Sequence, residues 1–220
     1  MQQIDLGLTS EIEQIQLFEK VDGGADGKRS GQNNSARLSY HPAFITESQC
    51  SHLFDALLQK IQWAEESLWI AGNQRKVPRL VAWYGDLGTN YRYSGKLHEP
   101  LPWIDELYTI KQKLEVELET PFNSVLCNLY RNGQDSMGWH ADDEKELGDD
   151  PFIASISLGQ PRAFHLKHKT NPSLRHKMTL NSGSLLVMQG TTQRYWLHQV
   201  PKEPKITQPR INLTFRNIIG

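Results

Sequence analysis

The chain has 220 residues, which is enough for one domain or a generous domain and a half. Its hydrophobic (38%) and charged (22%) fractions are typical of a globular protein, and the absence of any apolar run of 18 residues excludes a membrane-spanning helix. A formal net charge of −1 makes no overall case for nucleic-acid binding, although the charge is unevenly distributed along the chain.

The N-terminal segment and the cysteines predict the location of the protein. The first residues have neither the basic nor the apolar region of a secretory signal. The two cysteines, Cys50 and Cys127, are too few for a disulfide framework or a four-cysteine zinc site. Both lie in apolar patterns, so we expect reduced core residues in a reducing compartment. We therefore expect an intracellular protein, cytoplasmic or, in a eukaryote, nuclear.

Residues 1–37 are expected to form a mobile N-terminal segment. The stretch 21–36 is rich in Gly, Ser and Asn and offers almost nothing to bury. The folded body is expected to begin at Leu38 and to form a single domain over residues 38–220.

Two amphipathic helices are expected before residue 121. Thr46 and Gln49 have the spacing of a capping box, in which Thr46 accepts the Gln49 amide and the Gln49 side chain returns to the cap. The apolar face of the helix that follows consists of Cys50, Leu53, Phe54, Leu57, Leu58 and Ile61. The second helix is expected from about Trp103 to Glu119, and Pro121 ends it. Its inward residues would be Ile104, Leu107, Tyr108, Leu114 and Leu118.

After Pro121 the hydrophobic period changes from 3.6 to 2, which indicates strands. Short apolar or alternating runs are separated by turn signals such as Asn132-Gly133 and Gln208-Pro209. The runs are Val125–Tyr130, Phe152–Leu158, Ala163–Lys167, Ser184–Gln189, Tyr195–Val200 and Arg210–Arg216. Many short strands with regular turns are typical of a sandwich, a barrel or a jelly roll.

A candidate metal site begins at His140. In an extended segment the side chains at i and i+2 point to the same side, so His140 and Asp142 can bind one ion. A facial triad needs one further histidine, and its open positions suit Fe(II) for oxygen chemistry. His198, on a predicted strand, can supply that ligand. His-x-Asp alone also fits a pair of surface residues.

The last strand carries two arginines on one face. Arg210 and Arg216 are separated by an even number of residues, so their side chains point to the same side. Two arginines in a barrel interior are costly unless they meet anions, and a dicarboxylate satisfies them with bidentate hydrogen bonds. The alternative is a strand face that lies in water.

Together these residues resemble the signature of the AlkB family of Fe(II)- and 2-oxoglutarate-dependent nucleic-acid dealkylases. The pattern is His140-x-Asp142, then His198, then Arg210-x5-Arg216, and the resemblance covers roughly residues 79–218. Within the family the chain most resembles the branch that repairs alkylated DNA bases. Further matching segments are Tyr84-Gly85-Asp86, Asn128-Leu129-Tyr130, His140-Ala141-Asp142-Asp143-Glu144, Ile153–Gly159 and Gly183–Met188.

The resemblance implies the fold and the reaction. The fold would be mainly β with flanking helices (α+β), a double-stranded β-helix (jelly roll) over residues 122–220. An N-terminal helical and lid extension over residues 38–121 would recognise the nucleotide. The reaction would be oxidative dealkylation of bases such as 1-methyladenine and 3-methylcytosine, coupled to decarboxylation of 2-oxoglutarate to succinate and CO2, with release of formaldehyde.

The resemblance also implies the residues that bind each group. Fe(II) would be bound by His140, Asp142 and His198. The co-substrates would be 2-oxoglutarate and O2, and Arg210 would bind the far carboxylate of 2-oxoglutarate. The rest of that pocket would consist of Asn128, Tyr130 and Arg216.

The predicted substrate contacts are Tyr84, Asp143, Glu144 and Arg79, together with the metal ligand His140. Tyr84 and the metal ligand His140 would hold the extruded base between flat surfaces. Asp143 and Glu144 would contact its exocyclic amine or cationic ring, or else they belong to a solvated acidic loop. Arg79 ends a basic run, Arg75–Arg79, beside the expected lid.

A second basic run marks a candidate path for the phosphate backbone. Residues 162–177 contain five cations and no acid; the cations are Arg162, Lys167, Lys169, Arg175 and Lys177. Such clusters supply the salt-dependent part of nucleic-acid binding, although many are simply solvated faces. We expect a monomer without membrane contact whose partner is alkylated DNA, single- or double-stranded, with RNA as an open alternative.

One departure leaves the strand preference open. Duplex-active relatives carry a bulky hydrophobic finger, whereas the nearest segment here, Trp69-Ile70-Ala71-Gly72, has alanine where an aromatic wedge would stand. Two other functions remain. One is the same chemistry on RNA or a protein side chain. The other is a non-catalytic jelly-roll binding module, against which the intact triad and both arginines count.

Overall fold

In the computed structural model of the chain, residues 12–17, 35–70, 73–89, 91–93 and 96–219 are described, and of strand residues 17, 68–70, 91–93 and 96–98 only the backbone is. The strands are β1 (Glu13–Leu17), β2 (Ala36–His41), β3 (Ala64–Ile70), β4 (Asn73–Gly85), β5 (Tyr91–Tyr93), β6 (Lys96–His98), β7 (Ser124–Tyr130), β8 (Met137–His140), β9 (Ile153–Gly159), β10 (Arg162–His168), β11 (Arg175–Leu180), β12 (Leu185–Gln189), β13 (Trp196–Val200) and β14 (Arg210–Arg216). The helices are α1 (Glu47–Lys60), α2 (Asp105–Leu118) and the short α3 (Thr192–Tyr195). Within these ranges no helix is long and apolar enough to cross a membrane.

Two antiparallel sheets form the body of the protein. The larger has the strand order β1-β2-β12-β9-β14-β7-β4-β3, and the smaller has the order β11-β10-β13-β8; β5 and β6 form a separate ribbon. One apolar cluster joins α1 and α2 to the outer face of the larger sheet. A second cluster fills part of the space between the two sheets. This arrangement confirms the predicted mainly β jelly roll with flanking helices.

The register of β14 separates the two faces of the larger sheet. Asn212 lies opposite Asn128 of β7 and Ser157 of β9, whereas Leu213 lies opposite Cys127 and Ile156. The leucine face packs against the helices, and the asparagine face points between the sheets. Because side chains alternate, a slip of one residue would exchange the two faces. The polar face of β14 is therefore interior, and the alternative of a face in water is wrong.

Both predicted helices form, with two corrections. α1 begins directly after Thr46, but no side-chain capping bond forms there. The Thr46 hydroxyl instead donates to the Gln49 side-chain oxygen Oε1 at 2.8 Å. In α2, Tyr108 was predicted to point inwards but is 44% exposed, whereas Ile110, which was not predicted to do so, is buried.

The predicted mobile segment is partly wrong. β1 pairs with β2 so that Ile15 lies opposite Leu38, and Ala36 is fully buried in the core between the sheets. Residues 13–17 and 36–37 therefore belong to the folded sheet, since the strand pairing supplies partners that their composition does not reveal. The remainder of the predicted segment, 1–11 and 18–34, lies outside the described residues.

The region before residue 121 contains strands that periodicity did not predict. β3 and β4 extend the larger sheet beyond β7. The candidate wedge residues Trp69 and Ile70 end β3, where only the backbone is described, and Ala71 and Gly72 lie outside the described residues. After Pro121 the six predicted strands form within one residue of their expected ends, and β8 and β11 are additional.

The prediction of two reduced core cysteines is confirmed. Cys50 and Cys127 are free and buried. Burial raises the pKa of the Cys127 thiol, which keeps it protonated.

Gly133 provides a test of how the loops around the site are joined. A Cβ at this position would lie 1.8 Å from the Glu203 carbonyl oxygen, whereas a Cβ at Gly138 would meet nothing within 4 Å. We expect Gly133→Ala to lower the free energy of unfolding by about 2 kcal/mol or more, because backbone atoms must move. Gly138→Ala should stay within about 1 kcal/mol of the parent protein. Urea unfolding of both variants measures the difference, and equal stabilities would contradict the contact.

Candidate metal and co-substrate site

The strand register brings the three predicted metal ligands together. His140 and His198 lie directly opposite each other on β8 and β13, and Asp142 follows two residues after β8. Their ligand atoms all lie within 4.8 Å of one another, and the two imidazole centroids are 4.1 Å apart. Asp142 and His198 are buried, whereas a quarter of the His140 side chain is exposed. One side of the cluster thus remains open, as a catalytic metal site requires.

The orientation of His140 is fixed by its own strand. Its Nδ1 lies 2.9 Å from the carbonyl oxygen of Gly138. Since a carbonyl oxygen only accepts, Nδ1 carries the proton and Nε2 keeps its lone pair. Such a bond sets the tautomer and the ring orientation of a metal-binding histidine.

The charges of the cluster match the state that binds a metal. Burial would raise the pKa of Asp142, but Arg216 and the two histidines outweigh it and lower the pKa to about 2. The Arg216 guanidinium donates to Asp142 Oδ1 at 2.8 Å. Burial and the neighbouring His140 lower the pKa of His198 to about 3, and burial also lowers the pKa of His140. At neutral pH the site therefore holds one carboxylate and two neutral imidazoles, which are the ligand forms that metals need.

Gln193 of α3 holds the backbone of Asp142 in place through a hydrogen bond. The Asp142 backbone N–H donates to Gln193 Oε1 at 3.0 Å, and the Gln193 amide reaches Met188 Sδ at 3.5 Å. Gln193 is 1% exposed, so no water can replace its side chain without rearrangement. Thr192 anchors α3 by donating its hydroxyl to the Gln189 carbonyl oxygen.

Arg210 has the unmet hydrogen-bonding capacity that an anion would satisfy. The side chain is 1% exposed, and its Nη2 donates to Ser157 Oγ at 2.9 Å. Nε and Nη1 have no hydrogen-bond partner among the described residues. The guanidinium lies 5.2 Å from the Tyr130 ring centroid, and burial lowers its pKa, opposed in part by Tyr130. A buried guanidinium with two unsatisfied donors fits a carboxylate, which accepts both in parallel.

The same cavity joins Arg210 to the metal cluster. Its polar lining includes the triad and Arg210, and its apolar lining includes Phe164, Leu180, Met188 and Val200. At one side Asn128 donates towards Asn212 Oδ1 at 3.4 Å and accepts from Arg79 Nε at 2.6 Å. All four predicted pocket residues are buried. Tyr130 and Arg210 line the cavity, and Asn128 and Arg216 reach it through their hydrogen bonds to the lining residues Asn212 and Asp142.

Comparison with known proteins agrees with this geometry. A family model described as the 2OG-Fe(II) oxygenase superfamily matches residues 37–216. The chain belongs to this superfamily. Members of this superfamily use Fe(II) as cofactor and 2-oxoglutarate and O2 as co-substrates. The cavity is suited to them, because it contains a His-Asp-His cluster that can bind Fe(II) and a buried arginine with two free donors for a carboxylate.

Relatives place this oxygenase within the AlkB family. Alpha-ketoglutarate-dependent dioxygenase alkB homolog 3 of Homo sapiens is 40% identical over 192 residues, 83% of this chain and 66% of that protein. DNA oxidative demethylase ALKBH2 of Homo sapiens is 37% identical over 183 residues, 79% of this chain and 70% of that protein. The chain thus spans just under two thirds of the length of the first relative. The family resemblance predicted from the sequence is confirmed.

A solved structure shows the same fold. The structure of OsALKBH1 superposes with a TM-score of 0.58 and 18% identity, covering 82% of this chain and 96% of that chain. The jelly roll of this oxygenase is therefore shared with a distant homologue.

The stacking role predicted for Tyr84 is wrong for this structure. Tyr84 lies opposite Val125 and is 1% exposed in the cluster between the helices and the sheet, where its hydroxyl accepts from the Gln62 N–H at 3.0 Å. Trp83 lies opposite Leu126 and therefore points to the interior side. The sequence motif identified the correct strand, but the alternation of its side chains places the tyrosine on the other face.

Arg79 and the acidic pair have different surroundings from those expected. Arg79 is 4% exposed and bonded to Asn128, so it lies beside the co-substrate pocket and not on the surface. Asp143 is exposed and pairs with Lys169 Nζ at 2.9 Å. Glu144 is partly buried just before a 3-10 turn at Lys145–Leu147.

The basic run 162–177 is not one continuous surface. Arg162 is 1% exposed, and it bonds the Glu203 carboxylate at 2.9 Å and the carbonyl oxygens of neighbouring loops. Lys169 is held by Asp143 and by the Gln193 carbonyl oxygen. Lys167, Arg175 and Lys177 remain, and none of the ion pairs found within the described ranges involves them.

Gln193 and Ser157 are functional candidates that the sequence analysis missed. Neither residue belongs to a metal-ligand or cation pattern, and only the strand register brings Ser157 to Arg210 and α3 to Asp142. Ser157 did lie within a segment that resembles the family, Ile153–Gly159, which was the one available signal.

Gln193 provides a test of how the metal ligands are supported. We expect Gln193→Ala to weaken divalent-metal binding by roughly 10- to 100-fold, because the Asp142 N–H loses its acceptor and the ligand loop loosens. Calorimetric titration of the apoprotein with Co(II) measures this. Gln160→Ala is the matched control, since the Gln160 side chain bonds only the adjacent Pro161 carbonyl oxygen. Equal Co(II) affinity in both variants would show that Asp142 is held without Gln193.

Proposed function

We propose that the protein is an oxidative dealkylase of N-alkylated bases, such as 1-methyladenine and 3-methylcytosine, in DNA. The observation that carries this proposal is the open-sided His140–Asp142–His198 cluster in one cavity with the buried, incompletely bonded Arg210. The relatives include a DNA oxidative demethylase, which supports DNA as the substrate.

Each group of the site has a role in this proposal. His140, Asp142 and His198 hold Fe(II), and Arg216 orients the Asp142 carboxylate. Arg210 and Ser157 bind the far carboxylate of 2-oxoglutarate, and Asn128 and Tyr130 complete the pocket. When bound, iron with O2 and 2-oxoglutarate supplies oxidation of the N-alkyl carbon, with succinate, CO2 and finally formaldehyde as products.

The protein itself contributes position and the exclusion of water. The apolar side chains of Phe164, Leu180, Met188 and Val200 leave few competing hydrogen-bond partners near the metal ligands. In such a cavity the charge pairs of Arg216 and Arg210 are stronger than in water. The reacting carbon is then held at the open side, beside the partly exposed His140.

The substrate contacts of the proposal rest on the loop after His140. Asp143 and Glu144 are retained as contacts to a cationic base, since a nearby carboxylate favours positive charge. Arg79 is retained among the residues near the substrate, although it lies beside the co-substrate pocket, where it bonds Asn128. Tyr84 is not retained.

The partners and location are also proposed. We propose that the protein acts as a monomer on alkylated DNA. An intracellular place of action, cytoplasmic or nuclear, is supported by the two buried free thiols. The catalytic domain comprises residues 38–220 together with the paired strand β1.

Removal of a metal ligand tests the proposed reaction. His198→Ala should abolish formaldehyde release from 1-methyladenine in single-stranded DNA, duplex DNA and RNA, and should also weaken Co(II) binding, because only two ligands remain. His52→Ala, on the exposed side of α1, is the control and should keep both properties. Iron- and 2-oxoglutarate-dependent formaldehyde release that survives in His198→Ala would contradict the triad.

Arg210 tests the co-substrate pocket. Arg210→Ala should raise the 2-oxoglutarate concentration needed for half-maximal turnover by roughly 10- to 100-fold or more, as loss of one partner of a buried charge pair costs about 2–5 kcal/mol. Arg210→Lys should recover part of this loss, since an ammonium group lacks the planar fork. The measurement is succinate formation against 2-oxoglutarate concentration. An unchanged requirement in Arg210→Ala would remove this residue from the pocket.

A further inference from the structure

The outer face of the smaller sheet presents an aromatic ring and cations next to the metal site. Across β11, β10 and β13, Arg175 lies opposite Lys167, and Lys167 lies opposite Leu197. Trp139 extends this row on β8, because the Lys167 ammonium lies 4.4 Å from its ring centroid. Trp139 is 37% exposed. The row therefore runs from one edge of the sheet to the other.

Trp139 faces outwards because it precedes the inward-facing His140, and a bulge in β8 lets Met137 line the cavity as well. The pairing of β8 with β13 shifts between His198–His140 and Val200–Met137, so Gly138 and Trp139 together oppose one residue of β13. Bulges re-aim side chains and are frequent beside active sites. Here the bulge brings Met137 and His140 to the same face of β8, and Trp139 lies on the opposite face.

The charge of this outer face has one sign. Its strand residues are Trp139, Ala163, His165, Lys167, Arg175, Lys177, Thr179, Leu197 and Gln199. They include three cations and no carboxylate, and no ion pair in the described part of the chain neutralises the three cations. Arg162 and Lys169, the other cations of the same run, are already bonded to Glu203 and Asp143.

We propose that this outer face binds single-stranded DNA, with a base stacked on Trp139 and the phosphates on Lys167, Arg175 and Lys177. Alternating cations and an aromatic ring are what single strands need, because every base has a face that can stack. A duplex hides its base faces and would use only the cations. The identity of the strand as DNA rests on the proposed function.

Lys167 links stacking to phosphate binding. In the free protein its ammonium covers the Trp139 ring. Its flexible four-carbon stem lets the ammonium move to a phosphate when a base takes its place on the ring. Since Trp139 and His140 are consecutive residues on opposite faces of an edge strand, a strand stacked on Trp139 passes that edge where an adjacent nucleotide can enter the cavity.

Binding of undamaged DNA to the iron-free full chain tests this surface. The probes are an oligothymidylate and a mixed-sequence duplex of equal length. Trp139→Ala should weaken binding of the single strand by on the order of 10- to 100-fold, the effect of losing one stacked base, and leave duplex affinity unchanged. Trp139→Phe should keep most of the single-strand affinity but lose the part of the fluorescence quenching that Trp139 supplies. Tyr108→Ala, an exposed aromatic on α2, is the control and should bind as the parent protein does.

Lys167→Gln separates charge from stacking. It should keep the fluorescence quenching and reduce the slope of log affinity against log salt by about 0.7, the value for one phosphate contact with a single strand. An unchanged slope would contradict the proposal that the Lys167 ammonium leaves the Trp139 ring to bind a phosphate.

The remaining outcomes decide the proposal. Equal single-strand affinity in Trp139→Ala and the parent protein, or an equal loss for single strand and duplex, would overturn it, as would a parent protein that does not bind oligothymidylate. Thermal unfolding of both Trp139→Ala and Trp139→Phe checks that each variant is folded, and the loss of affinity in Trp139→Ala is compared with the retained affinity of Trp139→Phe. Dependence of binding on Trp139 without any formaldehyde release from methylated DNA would refute the proposed function alone.

Discussion

Charged side chains buried between two sheets impose the main constraint on this molecule. Arg210, Arg216 and Asp142 are each 3% exposed or less, and moving such groups out of water costs several kcal/mol per ion. Arg216 and Asp142 offset part of that cost by bonding to each other. Arg210 bonds Ser157 and lies over the Tyr130 ring, and its Nε and Nη1 have no partner among the described residues, so a bound carboxylate would complete its environment. The site is therefore built around a charge that the chain alone does not satisfy.

Burial of two apolar clusters offsets the free-energy cost of this polar interior. One joins the helices to the outer face of the larger sheet, and the other fills the rest of the space between the sheets. The alternation of β14 serves both, since Ile211, Leu213 and Phe215 are fully buried on one face while the arginines occupy the other. A shift of register by one residue would move cations into the helix cluster, so the same pairing that stabilises the fold also positions the site.

Predictions from the sequence were correct where the spacing of residues along one strand determines which side chains share a face. They were wrong or missing where the position of a side chain depends on pairing between segments far apart in the chain. The ligand spacing His140-x-Asp142 and the even separation of Arg210 and Arg216 depend only on strand geometry, and both arrangements are observed. Tyr84 failed because its face depends on the pairing of β4 with β7, which no local pattern reveals. Gln193 was missed because its partner Asp142 lies 51 residues away along the chain. The burial of Arg162 depends in the same way on distant loop carbonyls.

β8 connects the chemistry of the cavity with the surface outside it. This strand is only four residues long and lies at the edge of the smaller sheet, so a bound strand reaches it without crossing another element. Its last residue, His140, is held by its own Gly138 carbonyl, whereas Trp139, the residue before it, points the other way by strand alternation. Because one short backbone segment sets both side chains, a base stacked on Trp139, as proposed, would lie next to a metal ligand. Asp142, the following ligand, is held separately, since its backbone N–H donates to Gln193 of α3.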